Sequence, residues 1–248
     1  MTMWAILSGV EGNLTAYQAV LADLKRLHSR LKAVYILGDL VGPRPESEAL
    51  VELVRAGTAG LPQAAVCLGW WEEHCLSLHG LGGNGDPEAL IRQHGADTVQ
   101  TLWKSVPLAT AQWLRSLDLG FYERDCMLIH GSTLGVHDCL HPETPAFELL
   151  DRLVRADAHR LFCGRSGLIF ELVVESARVA TTITTLDGPQ PVTTLDFVPR
   201  QVVGVGNVGR LDGQASYILY DPSTDRVEFK SLTYGTSRGC GRPGKSDL

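Results

Sequence analysis

The sequence predicts an α/β layered protein, on three observations. Short β-branched or apolar runs alternate with amphipathic stretches through the first two-thirds of the chain, the pattern of strands crossing to helices. From Ile169 onward the pattern changes to period-two runs separated by turn residues, so the carboxyl half is predicted to be mostly antiparallel sheet. The 248 residues, 44% hydrophobic and 20% charged, suffice to bury a sizeable core as one domain or two small ones.

Trp4 to Ser8 reads as the first strand. Asn13 can cap the helix that follows, where Tyr17, Val20, Leu21, Leu24 and Leu31 recur at helical spacing and leave Asp23, Lys25 and Arg26 for solvent. Ala33 to Leu37 is a strand, Pro45 to Val54 a helix entered through Ser47, and Ala64 to Leu68 a third strand. Leu78 to Asp86 is glycine-rich and polar, which favours a loop, and the helical patterns at Glu88 to Ile91 and Ala109 to Leu117 read as an insertion of about residues 78–120. Cys126 to Ile129 resumes the strands, Thr144 with Pro145 opens a helix carrying Leu149, Leu150, Leu153 and Val154, and Leu161 to Cys163 is the next strand. The period-two runs are Phe170 to Val174, Val179 to Ile183, Gln201 to Val205, Ser216 to Leu219 and Arg226 to Lys230, with turns at Asp187-Gly188 and Asp212-Gly213. Residues 1–234 are expected to form a single domain, and glycine-rich, basic 235–248 a flexible tail.

Charge narrows the function classes. Lys and Arg total 22 against 28 Asp and Glu, a net charge of -6, so no basic footprint for a nucleic-acid partner is present. No apolar run approaches the ~18 residues a membrane span needs, and a cytoplasmic location is expected. The cysteines Cys67, Cys75, Cys126, Cys139, Cys163 and Cys240 show no metal-type spacing and read as small buried hydrophobes. Gly204-Val-Gly206-Asn-Val-Gly209 matches a dinucleotide-binding fingerprint, but that mechanism needs a helix next, and strand-like Ser216 to Tyr220 follows. A glycine-lined turn between strands is the better reading.

Several segments in order resemble the calcineurin-like metallophosphoesterases, in the small branch of phosphodiesterases and diadenosine-tetraphosphatase-like proteins. Ile6-Leu-Ser-Gly-Val-Glu-Gly-Asn-Leu14 is similar to that family's I-L-S-D-x-H-G-N-L, and Leu37-Gly-Asp-Leu-Val-Gly42 to its L-G-D-x-V-G. Leu68-Gly-Trp-Trp-Glu72 stands where the family has G-N-H-D/E, Leu128-Ile-His-Gly-Ser132 resembles H-G-S, and Phe162-Cys-Gly-Arg-Ser-Gly167 stands at G-H-T-H. Gly204 to Arg210 with Ala215-Ser-Tyr217 resembles the closing G-S-V-G-x-P-R…A-S-Y. The resemblance spans residue 3 to about 234. It implies a four-layer α/β/β/α sandwich of two mixed sheets flanked by helices. It also implies a pair of divalent cations that activate a bridging water.

Most of that metal shell is replaced here. Gly9 stands for the first aspartate, Glu11 for the first histidine, Trp70 for the bridging asparagine, Trp71 for the general-acid histidine, and Arg165 and Gly167 for the last histidines. Of the implied ligands only Asp39 and His130 remain in kind, with Glu11 as a substitute. One carboxylate and one imidazole cannot hold two repelling cations. Arg165 supplies fixed positive charge, able to pair with Asp39 or Glu11 or to hold a phosphate bidentately. The resemblance puts Asn13, Arg165 and Arg210 on the phosphate side.

Plainer roles stand beside these. Asp39 can serve loop backbone, His130 can be structural, and Trp70 with Trp71 can be a plug or an exposed protein-binding patch, the plug being favoured. Glu72, Glu73 and His74 read as a solvated loop rather than a rebuilt metal cluster, and His137, Asp138 and His141 carry an H-D-x-x-H spacing on what the family uses as a substrate-side loop. The leading expectation is a pseudoenzyme with no catalytic residue and no cofactor, binding a phosphorylated small molecule or a protein. The alternatives are a working phosphoesterase on a single divalent ion such as Mn, Fe, Zn or Mg, and an interaction module using the tryptophan surface. The centre is expected to be poor in carboxylates.

Overall fold

The structure, a computed structural model, describes residues 2–175, 184–185, 188–189 and 199–235. In chain order the elements are β1 (Met3–Leu7), α1 (Leu14–Lys25), β2 (Leu31–Leu37), α2 (Ser47–Ala56), β3 (Ala64–Cys67), α3 (Trp70–Leu78), α4 (Pro87–His94), α5 (Ala96–Ser105), α6 (Leu108–Leu114), β4 (Gly120–Glu123) and β5 (Cys126–Ile129). Then come α7 (Ala146–Ala156), β6 (Arg160–Cys163), β7 (Ile169–Val174), β8 (Thr184–Thr185), β9 (Gly188–Pro189), β10 (Arg200–Val205), β11 (Gln214–Asp221) and β12 (Arg226–Thr233).

Two five-stranded mixed sheets form, in the orders β12-β11-β1-β2-β3 and β4-β5-β6-β10-β7. Alternation along each strand assigns the layers. Trp4 and Ile6 of β1 face the second sheet, meeting Leu128, Phe162, Val203 and Val205. Ala5 and Leu7 face the opposite way, into a cluster with Val20 and Leu24 of α1, Leu50 and Val54 of α2, Leu102 of α5 and Leu114 of α6. On the far side, Leu149 and Leu153 of α7 cover Leu161, Phe170 and Val202. Strands buried on both faces are continuously apolar, and the result is the α/β/β/α order.

Several local expectations are corrected. Helix α1 ends at Lys25 and Leu31 opens β2, so the heptad-like match of Leu24 with Leu31 is coincidence. Asp23 is not left to solvent, because it accepts a 2.6 Å hydrogen bond from the Tyr217 hydroxyl. Ser47 begins α2 but its hydroxyl bonds Gly42 rather than capping the helix, and Thr144 accepts from His141 N–H, leaving α7 without a side-chain cap. The carboxyl half is mostly antiparallel as expected, in the pairs β7–β10, β1–β11 and β11–β12, with one exception: β10 runs parallel to β6, since a period-two pattern fixes a face and not a neighbour's direction. The hairpin of β4 and β5 turns on Arg124 and Asp125, both at positive φ, without the glycine or asparagine that marks such turns in sequence. The run Val179–Ile183, Asp187, Cys240 and the tail from 236 lie outside the described residues. No helix among the described residues is long and apolar enough to cross a membrane.

Candidate functional site

The loops after β1, β2, β5, β6 and β10 meet at the carboxyl ends of the strands, the edge where open α/β sheets place ligands. Backbone hydrogen bonds fix them together. Glu11 N–H donates to Asp39 O (2.8 Å), Arg165 N–H to His130 O (2.7 Å), and Val208 and Gly209 N–H to Ser8 O (3.0 Å) and Gly9 O (2.8 Å). The Gly204–Gly209 motif is therefore a turn between β10 and β11 laid against the first loop. Glu11 and Asp39 both take a left-handed backbone, each at φ 51. Strain of that kind is held only where the surroundings over-determine it.

The innermost group is fully buried. Asp39 Oδ1 accepts the Trp71 N–H (2.8 Å), and the N–H groups of Asp39 and Val41 donate to Glu72 Oε2 (2.7 Å) and Oε1 (2.9 Å). His130 Nδ1–H donates to Leu37 O (2.8 Å), which leaves a lone pair on Nε2, 3.4 Å from Asp39 Oδ1. Burial pushes the His130 pKa down, so this contact is not an ion pair. Neither His130 Nε2 nor Asp39 Oδ2 has a hydrogen-bond partner. Burial, with the Asp39 charge beside it, raises the Glu72 pKa to about 8.

Glu72, Glu73 and His74 thus lie in α3 and are buried, which corrects the solvated-loop expectation and the expectation of a carboxylate-poor centre. Glu72 sits in the first turn of α3, but the N–H groups it accepts belong to the loop after β2 and not to its own helix, so no sequence signal marked it.

Two arginines complete the centre. Arg210 Nε lies 2.9 Å from Glu11 Oε1, its Nη1 donates to Ser166 O (3.0 Å), and its Nη2 is 3.9 Å from Asp39 Oδ2. Gly167, at φ 69, makes this placement feasible, because a Cβ there would collide with the guanidinium. Burial and the Asp39 charge raise the Glu11 pKa, opposed by Arg210. Arg165 pairs with neither Asp39 nor Glu11. Its guanidinium lies 4.6 Å from the centroid of Trp70, its Nε is buried without a partner, and among the described residues the group makes no hydrogen bond or ion pair. Burial lowers the pKa values of His74 and His94, and the nearby Arg165 charge acts on both in the same direction.

Trp70 and Trp71 pack inward, 7% and 6% exposed, with His94 beside both rings. Trp70 and Trp71 therefore form a plug and not an exposed interaction surface. Asn13 is committed to the fold: Oδ1 accepts Ala16 N–H (3.0 Å) and Nδ2 donates to Gly209 O and the Tyr234 hydroxyl, both at 3.1 Å. The H-D-x-x-H residues diverge. His137 contacts Glu73 (3.1 Å), Asp138 accepts from Ser132 and from Arg152 Nε (2.9 Å), and His141 Nε2 lies 3.2 Å from Cys139 Sγ.

The residues present do not fit a pair of cations. Among the described residues no three His, Cys, Asp or Glu side chains gather in a metal-binding arrangement, and a guanidinium stands between Glu11 and Asp39.

Solved structures share this architecture. A metallophosphoesterase from Sphaerobacter thermophilus matches at TM-score 0.65 and 21% identity, over 94% of this chain and 89% of that one. A hypothetical protein from Pyrococcus horikoshii OT3 matches at TM-score 0.64 and 19% identity, over 95% and 89%. At such identities the likeness shows the fold: this chain has the metallophosphoesterase architecture of two mixed sheets flanked by helices. No family model and no curated protein matches the chain.

Proposed function

We propose that this chain is a catalytically impaired member of the calcineurin-like phosphoesterases that binds a phosphate-bearing ligand without a metal pair, in the cytoplasm. The observation that carries the reading is Arg165. A half-buried guanidinium is costly to desolvate unless an anion meets it, and no protein carboxylate does so among the described residues. Stacking on Trp70 holds the planar group so that one edge can present two N–H donors to phosphate oxygens. The free, buried thiols of Cys67, Cys75, Cys126 and Cys163 suit a reducing compartment.

The test is thermal denaturation of EDTA-treated protein with phosphate, pyrophosphate or a nucleotide. A saturable rise of the midpoint, lost in Arg165→Ala, supports the reading; indifference of the wild type to all three overturns it. A second reading, a hydrolase using one divalent ion on Glu11, Asp39 and His130, is favoured by the unpartnered Asp39 Oδ2 and His130 Nε2. It predicts turnover of a chromogenic phosphodiester with added Mn, abolished by Asp39→Ala or His130→Ala.

A further inference from the structure

We infer that Arg210 is the resident cation of this centre, its guanidinium holding Glu11 and Asp39 in the place of a divalent metal ion. The inference rests on the metal-free reading of the site and is independent of whether Arg165 takes an anion.

Two carboxylates converge where little water reaches them: the side chain of Glu11 is 14% exposed and that of Asp39 0%. Buried like charges need a counter-charge, and Arg210 is the cation in contact with both, at 2.9 Å and 3.9 Å. Asp39 Oδ2 has no hydrogen-bond partner to compete for it.

The position of Arg210 is set by the backbone. The chain leading into it is anchored to two other loops, by Gly209 N–H to Gly9 O (2.8 Å) and by Asn207 Nδ2 to Gly167 O (2.9 Å), while Nη1 is held on Ser166 O (3.0 Å). The space it fills exists because residue 167 has no side chain. Glycine at 167 and glutamate at 11 are thus two halves of one arrangement: the first admits the guanidinium and the second binds it. A divalent ion entering here would meet a fixed positive charge and would have to expel it.

Removing the guanidinium should therefore uncover a cation site. Glu11, Asp39 and the lone pair of His130 Nε2, which form no metal-binding group while the guanidinium is present, would then be free to close on a Zn²⁺ or Mn²⁺ ion with two oxygens and one nitrogen. The experiment compares wild type, Arg210→Ala, Arg210→Lys and the double variant Glu11→Gln with Arg210→Ala. Each full-length chain is melted in EDTA and with excess Zn²⁺ or Mn²⁺, and bound metal is measured after dialysis. Arg210→Ala should melt lower than wild type in EDTA, recover by several degrees with metal and retain it; wild type and Arg210→Lys should not respond, and the double variant should lose the response. Stoichiometric metal on wild type, or an Arg210→Ala protein indifferent to metal, overturns the inference. Should Arg210→Ala not fold in EDTA, recovery on refolding with Zn²⁺ supports it, and failure with Zn²⁺ while Arg210→Lys folds overturns it. Phosphate titrations of the same wild-type sample separate the readings, since loss of anion binding alone leaves the role of Arg210 intact.

Discussion

Arg160 and Arg165 lie five positions apart, one opening β6 and the other just past its end, and their surroundings give them opposite roles. Each guanidinium stacks on a ring, Arg160 at 4.9 Å from Tyr220 and Arg165 at 4.6 Å from Trp70. Arg160, 1% exposed, spends its donors on Gln201 of β10 and on Asp225, in the turn between β11 and β12. It ties the two sheets together at the end away from the site loops. Arg165 has the ring and no acceptor among the described residues. The contrast teaches that the acceptor set, and not the arginine or its aromatic partner, decides whether a guanidinium is spent on the fold or left for a ligand.

The largest effect is expected at the satisfied arginine. Arg160→Ala should cost about 2–3 kcal/mol in urea denaturation, since Gln201 and Asp225 lose a buried partner, though Asp225 is half exposed and regains water. Arg165→Ala should reverse the pattern: a melting midpoint close to wild type, with anion-induced stabilisation weakened at least ~10-fold, about 1.4 kcal/mol. A variant at Arg165 that unfolds the protein as Arg160→Ala does would erase the distinction.

At the buried end of the centre the fold also depends on Glu72. Glu72→Gln keeps only one accepting oxygen for the N–H groups of Asp39 and Val41, so it should cost about 1 kcal/mol at pH 5. The gap should close and then reverse toward pH 8. The folded Glu72 pKa stands near 8 against an ordinary 4.5, so between those values the unfolded chain ionises while the folded one retains its proton, and wild type loses stability that the amide keeps. Denaturation curves at pH 5 and pH 8 check the sign. The smallest effect is expected at Arg155, paired with Asp151 in solvent, where Arg155→Ala should leave the melting midpoint unchanged within error.

The layers were legible because strands buried on both faces are continuously apolar, as in Ala33–Leu37 and Cys126–Ile129, while α1 shows a helical period. The position of the centre was legible too, through Asp39 and His130 in their motifs. Its pairings were not. Glu11 and Arg210 are 199 residues apart, so no spacing could show that Arg210, rather than Arg165, takes the carboxylate. Nor could the sequence show that Glu72 turns inward, because the donors to its carboxylate are backbone N–H groups of another loop, invisible as residue types. Nor does the motif show that the Asn13 side chain caps α1 and bonds Gly209 and Tyr234, partners that lie far along the chain.

The most direct measurement is a calorimetric titration of pyrophosphate into wild type and Arg165→Ala, both stripped with EDTA. A metal-free anion site on Arg165 predicts one saturable site in wild type and binding at least ~10-fold weaker in the variant, at equal melting midpoints. Equal binding by both proteins, or wild-type binding that appears only when Mn is added, would contradict it.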